Sequence, residues 1–147
     1  MLLIFASSCA AQQGFTNISE KNGNIGIGTN EPDEKLTVKG KIHTQEVLVD
    51  LNGAVAPDYV FESYFNGYST LHSSYKMLDL KSLENYLKQH LHLPEIPSAA
   101  AIEKEGLALK KMQLLLLQKI EELTLYTIEQ QQQIDELKEQ LNSLSKE

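Results

Sequence analysis

Residues 111–144, KMQLLLLQKIEELTLYTIEQQQQIDELKEQLNSL, decide how this chain is built. Ile120, Leu123, Ile134, Leu137, Leu141 and Leu144 follow one another in steps of three and four, and Thr127 and Gln130 complete the register as two polar layers. That spacing is a heptad seam, the stripe a helix presents to partner helices. A continuous helix from Lys111 to Leu144 would be about 50 Å long at 1.5 Å per residue. Its front half carries further apolar residues off the seam: Leu114, Leu115, Leu117, Leu125 and Ile128. A helix that is apolar on most sides has to be covered on most sides. Partner helices would cover the seam, and the chain just upstream would cover the rest. Beyond Gln130 only the seam stays apolar, as in a bare coiled-coil tail. A long helix folded back on its own domain would leave that tail unexplained.

Upstream, residues 79–106 predict two short helices. Asp79 is placed to cap the first, in which Leu80, Leu83, Leu87 and Leu91 fall on one face. Pro94 and Pro97 stop it. Ser98 caps the second, which Gly106 ends. Residues 53–78 hold Tyr59, Phe61, Tyr64, Phe65, Tyr68 and Tyr75, with Asn66-Gly67 as a hairpin-type turn signal between apolar stretches. They read as an irregular connector, so that residues 53–106 form one aromatic and helical segment ahead of a coiled coil at 107–147.

Residues 22–52 have the period of two. Ile25 and Ile27 alternate with glycine, Leu36 and Val38 with Thr37 and Lys39, and Val47 and Val49 repeat the pattern. These are short strands with one buried face. Thr29 to Asp33 and Gly40 punctuate them. Gly23, Gly26 and Gly28 lie close together and predict either positive φ or the close approach of another backbone. Strands this short make a poor sheet alone, so the segment reads as a β shaft completed by copies of itself. Residues 12–21 read as a linker. The fold class is therefore α+β: a short β shaft, a small helical connector and a long C-terminal helix.

The first residues, MLLIFASSCAAQQ, resemble the back half of a secretory signal, with cleavage expected after Ala11 and residues 1–11 removed. The competing reading makes Cys9 a lipidated cysteine that anchors an outer-membrane lipoprotein. Cys9 is the only cysteine, so no disulfide can staple this fold, and burial or association must hold it together. With 13 basic and 20 acidic residues, a net charge of −7 and no basic cluster, nucleic acid is not an expected partner. No apolar run approaches the roughly 20 residues that span a bilayer, so no membrane association is expected after signal cleavage unless Cys9 is lipidated.

Laid end to end, these segments resemble a known group of proteins. GNIGIGT at 23–29 followed by NEPDEKLTVKGKI at 30–42 is similar to the GNVGIGT…P…KL.V.G.I repeat of phage tail-fibre-like and cell-surface fibre proteins. The stretch 93–134, LPEIPSAAAIEKEGLALKKMQLLLLQKIEELTLYTIEQQQQI, resembles the C-terminal end of exported fibre-like proteins of Bacteroidota. More distantly it is similar to the last helices of the tail-spike and endosialidase intramolecular chaperone domain. The resemblance implies a parallel homotrimer with an intertwined β shaft, displayed on a cell surface or a virion. That chaperone family cleaves itself with a serine and a lysine. Ser73, Ser74 and Lys76 lie near the corresponding region, but the rest of that pattern is not recognisable here.

Other constellations are read as structural. His90 and His92 point to different sides of a helix, which is poor metal geometry there; an extended helix end with a carboxylate such as Glu95 is the competing reading, and solvated or capping histidines are the expectation. Pro94 and Pro97 have the spacing of a polyproline ligand but fit a rigid connector. Tyr59, Tyr64 and Tyr68 are the candidate ligand-facing aromatics, able in principle to stack on a cell-surface glycan. The glycines at 23–28 lack the lysine and helix of a phosphate loop. Glu31, Asp33 and Glu34 lie in a turn and read as solvated. No catalytic arrangement and no cofactor is expected. The predicted function is that of a non-enzymatic exported fibre protein, registered and nucleated by its C-terminal coiled coil.

Overall fold

The computed structural model describes residues 17–145. The expected signal sequence, its expected cleavage site and Cys9 lie outside the described residues. The chain is α+β, with a small three-stranded sheet followed by four helices, the last of them long. It divides into two compact units, the first ending at Leu48 and the second beginning at Val49.

In the first unit, β1 (Ile18–Lys21) pairs antiparallel with β2 (Asn24–Ile27), and β2 pairs in parallel with β3 (Leu36–Val38). The turn between β1 and β2 is Asn22-Gly23, both at positive φ (55° and 77°), the backbone a two-residue hairpin requires. Strand β1 thus begins inside the stretch read as a linker. The connection from β2 to β3 folds over one face of the sheet. Ser19 Oγ donates to the Thr29 carbonyl at 2.6 Å. Thr37 Oγ1 donates to Asp33 at 2.7 Å and accepts from the Asp33 and Glu34 amides at 3.1 Å. That hydrogen bond holds the Asp33 carboxyl below its ordinary value. An ion pair from Lys21 to Glu31 ties the hairpin tip to the same loop.

Two glycines of the 23–29 motif are explained by this folding over. A Cβ at Gly26 would lie 2.3 Å from the Thr29 carbonyl oxygen and 2.7 Å from Ser19 Oγ. Gly28 sits at φ 72°, with the Lys39 carbonyl oxygen 3.1 Å from where its Cβ would be. The strand expected around Val47 and Val49 is absent: residues 45–50 are irregular, and both valines are exposed. Alternation supplies a buried face only where a neighbouring strand offers ladder bonds, and within the described chain neither sheet edge receives this segment.

In the second unit, α1 spans Tyr59–Asn66, α2 Leu80–His90, α3 Ala99–Glu105 and α4 Leu109–Leu144. The caps of α2 and α3 are those the sequence predicts. Asp79 accepts from the Ser82 amide at 2.8 Å, Ser98 accepts from the Ala101 amide at 3.3 Å, and Gly106 follows α3 at φ 78°. Helix α1 corrects the reading of residues 53–78 as irregular. Asn66-Gly67 is no hairpin but a helix end, with Gly67 at φ 79° and its amide bonded to the Ser63 carbonyl at 3.0 Å. The core lies where α1 meets α4. Among the described residues its buried apolar side chains are Val60, Leu125 and Tyr126, with Pro57 also enclosed.

Candidate interaction surface

Helix α4 buries a mostly polar face and leaves a largely apolar one exposed. Its buried residues are Gln118, Glu121, Glu122, Leu125 and Tyr126. At 3.6 residues per turn these form one stripe, and Ile120, Leu123 and Thr127 lie on the opposite side. Most of the buried stripe is polar, and the exposed stripe is largely apolar. Ile120 is 59% exposed and Leu123 63%, while Gln118 is 2% exposed.

The polar stripe is held by hydrogen bonds from distant parts of the second unit. Tyr59 Oη donates to Gln118 Oε1 at 2.8 Å, and Tyr75 Oη donates to Glu122 Oε1 at 3.0 Å. Gln118 Nε2 donates to Glu122 at 2.9 Å and to Glu95 at 2.5 Å. Lys119 Nζ reaches both oxygens of Glu122 at 2.9 and 3.1 Å and Glu95 at 3.3 Å. Tyr126 Oη donates to the Leu78 carbonyl at 2.5 Å. A buried polar group is tolerable only when satisfied, and this network satisfies Gln118 and Glu122. Burial, with the Glu122 charge next, pushes the Tyr75 and Tyr126 phenols up, Tyr126 to about 12. Glu121 is the exception. Its Oε2 is buried with no hydrogen-bond partner among the described residues, and burial, with the Asp58 charge second, pushes its carboxyl up.

The seam residues all lie outside this network. Ile134, Leu137, Leu141 and Leu144 continue the exposed stripe to the end of the helix, between 46% and 69% exposed. Thr127 and Gln130 are exposed on the same side, and the Thr127 hydroxyl returns to the Leu123 carbonyl at 2.9 Å. The stripe also runs further forward than predicted. Stepping back from Ile120 by four and then seven reaches Leu116 and Leu109, 41% and 65% exposed. The same three-and-four rule would have found both.

Beside the seam lies a groove of about 430 Å³ between α2 and α4. Leu80 and Leu83 of α2, then Leu93 and Pro94, form one wall; Leu116, Ile120 and Leu123 belong to the other. The aromatic candidates part company. Tyr59 turns inward to Gln118 and packs its ring 4.9 Å from His72 and 5.0 Å from Tyr75. Tyr64 and Tyr68 line a separate open cavity of about 560 Å³, with Tyr68 69% exposed. His90 stacks on Tyr86 at 4.2 Å, and His92 Nδ1 lies 3.0 Å from the Leu93 carbonyl. Among the described residues no group of three or more histidine, cysteine, aspartate or glutamate side chains is gathered to hold a metal ion. Also among the described residues, no helix is long and apolar enough to cross a membrane.

The chain matches no family model, no curated protein and no solved structure.

Proposed function

We propose that this chain is a non-enzymatic, exported fibre protein that acts as a parallel homotrimer, with α4 bundling three copies and setting their register. The observation that carries the reading is the inversion on α4. The Gln118 carboxamide and the Glu122 carboxylate are packed inward and hydrogen-bonded, while Leu116, Ile120, Leu123 and Leu137 are left in water. Apolar stripes of that length on a solvated helix are stabilised by being covered. Identical seams cover one another most simply when the copies run parallel and in register.

Isoleucine at one seam position with leucine at the other also suits two strands. Three are favoured by the width of the apolar face, because a helix in a three-membered ring touches two neighbours and covers both shoulders of its seam. Export and display outside the cell rest on the N-terminal residues and on the fibre-like motif at 23–42.

The test is Leu137→Glu, which places a charge in the seam far from the core around Val60 and Leu125. The variant is expected to lose the trimer by light scattering while the wild type keeps it. An unchanged molar mass would remove the seam as the interface. N-terminal sequencing of the native protein is expected to find Gln12 first, and Met1 retained in cytoplasmic protein would end the export reading.

A further inference from the structure

The groove between α2 and α4 is lined largely by apolar side chains, and what is inferred for it rests on the self-association just proposed. The groove is not separate from the seam. Leu116, Ile120 and Leu123 belong to both, so whatever lies against the seam also lies at the mouth of the groove. The groove occupies one shoulder of the seam, the side on which Lys119 and Tyr126 sit. The other shoulder carries Leu117 and Ile128, 43% and 38% exposed, with Thr124 between them. An apolar hollow thus flanks one side of the seam, and an apolar ridge flanks the other.

When parallel helices close a ring, one shoulder of each helix meets the opposite shoulder of the next. We propose that the ridge of a neighbouring copy, through Leu117 and Ile128, fills the groove between α2 and α4, making α2 and Leu93 part of the interface.

The geometry fixes which residues meet. Leu93 lies at the level of the front of α4, because Glu95 two residues on bonds Gln118 and Lys119. Leu80 lies further along, because the Leu78 carbonyl accepts from Tyr126. In a parallel, in-register assembly Leu117 of the neighbour therefore falls beside Leu93, and Ile128 of the neighbour falls beside Leu80. The crossed pairs are offset along the helix by eleven residues, about 16 Å at 1.5 Å per residue.

The test uses the full chain with Cys9→Ala and one added cysteine per variant: Leu93→Cys, Leu80→Cys, Leu117→Cys or Ile128→Cys. Pairs of variants are unfolded together, reassembled and oxidised, and light scattering first checks that the oligomer persists. Disulfides form only between backbones about 4.4–6.8 Å apart. Leu93→Cys is expected to link to Leu117→Cys, and Leu80→Cys to Ile128→Cys, with crossed combinations giving at least tenfold less product. An oligomer in which crossed pairs link as well as matched ones, or in which neither matched pair links, would overturn this inference and leave the trimer standing. A chain that stays monomeric throughout would overturn both.

Discussion

The two units of this protein hide and show the same kinds of residue by different means. In the sheet, the buried positions are Gly26 and Thr37, with Ser19 half-buried, all on the face the 28–35 loop folds over. Ile18, Ile25, Ile27 and Leu36, paired across the opposite face by the strand register, are 37–57% exposed. In the helical unit, Gln118 and Glu122 go inward and Ile120 and Leu123 stay out. The means differ because the materials differ. A strand of three or four residues hides a polar face under a tight loop, which demands a glycine. A long helix hides one under a network of tyrosines, which demands partners far away in sequence. Both inversions put polar support inside and leave apolar surface exposed, the pattern expected of a chain that associates through the proposed seam.

If that is right, the two units should fall together. Removing residues 111–147 is expected to abolish cooperative folding of the sheet as well as association, because strands this short are stabilised only by sharing a face with neighbours, held close by the coiled coil at high effective concentration. Circular dichroism and light scattering on residues 12–110 check this. A cooperative, β-rich monomer would show that the sheet folds without α4 and without other copies.

Next in size is Gly26→Ala. Its Cβ would strike the Thr29 carbonyl, a backbone atom that cannot swing aside, so a loss of about 3 kcal/mol is expected, near the top of the usual cost of overpacking. Gly40→Ala is the matched control: that position has open space and no positive φ, and no loss of melting temperature is expected. Equal effects would show that the loop does not rest on Gly26 as described.

Much of this architecture was legible in the residues. Asp79, Ser98 and Gly106 mark the ends of α2 and α3 because capping is local chemistry, written within three residues of the end. The exposed apolar stripe of α4 was legible because a heptad repeats. Asn-Gly was legible only as a demand for positive φ. Asn22-Gly23 makes a hairpin and Asn66-Gly67 closes a helix, and the dipeptide is identical in both. The difference lies in the flanks: Tyr59–Asn66 packs against α4, with Tyr59 bonded to Gln118, 59 residues on, a contact that no window reads. Strand β1 was hidden because ISEK has one apolar residue and forms by pairing. The inversion on α4 was hidden too. Gln118, Glu121 and Glu122 look like a solvated face until Tyr59 and Tyr75 arrive from 59 and 47 residues away.

A smaller effect comes from the polar layers. Thr127 and Gln130 are expected to cost stability while fixing register and copy number, as buried polar seam residues do. Replacing both with isoleucine should raise the melting temperature and broaden the distribution of oligomers. A single species that melts lower would mean that these residues do not face the seam.

The smallest effect is Glu121→Gln. The folded protein holds this carboxyl above its ordinary value of 4.5, so folding favours the protonated form. Its contribution is therefore present at low pH and is lost as pH rises through the raised value. The variant should melt higher than wild type at about pH 7 and the same at about pH 4. A difference that persists unchanged at both would assign the effect to packing.

The most direct test of the shared-surface account is the molar mass of the intact mature chain, measured by light scattering across a hundredfold dilution. Three times the mass of one chain is expected, persisting until dilution releases monomers that lose helix and sheet together. A monomer that keeps its full circular dichroism at every concentration would show that Ile120, Leu123 and the sheet's isoleucines are stable in water, and would contradict it.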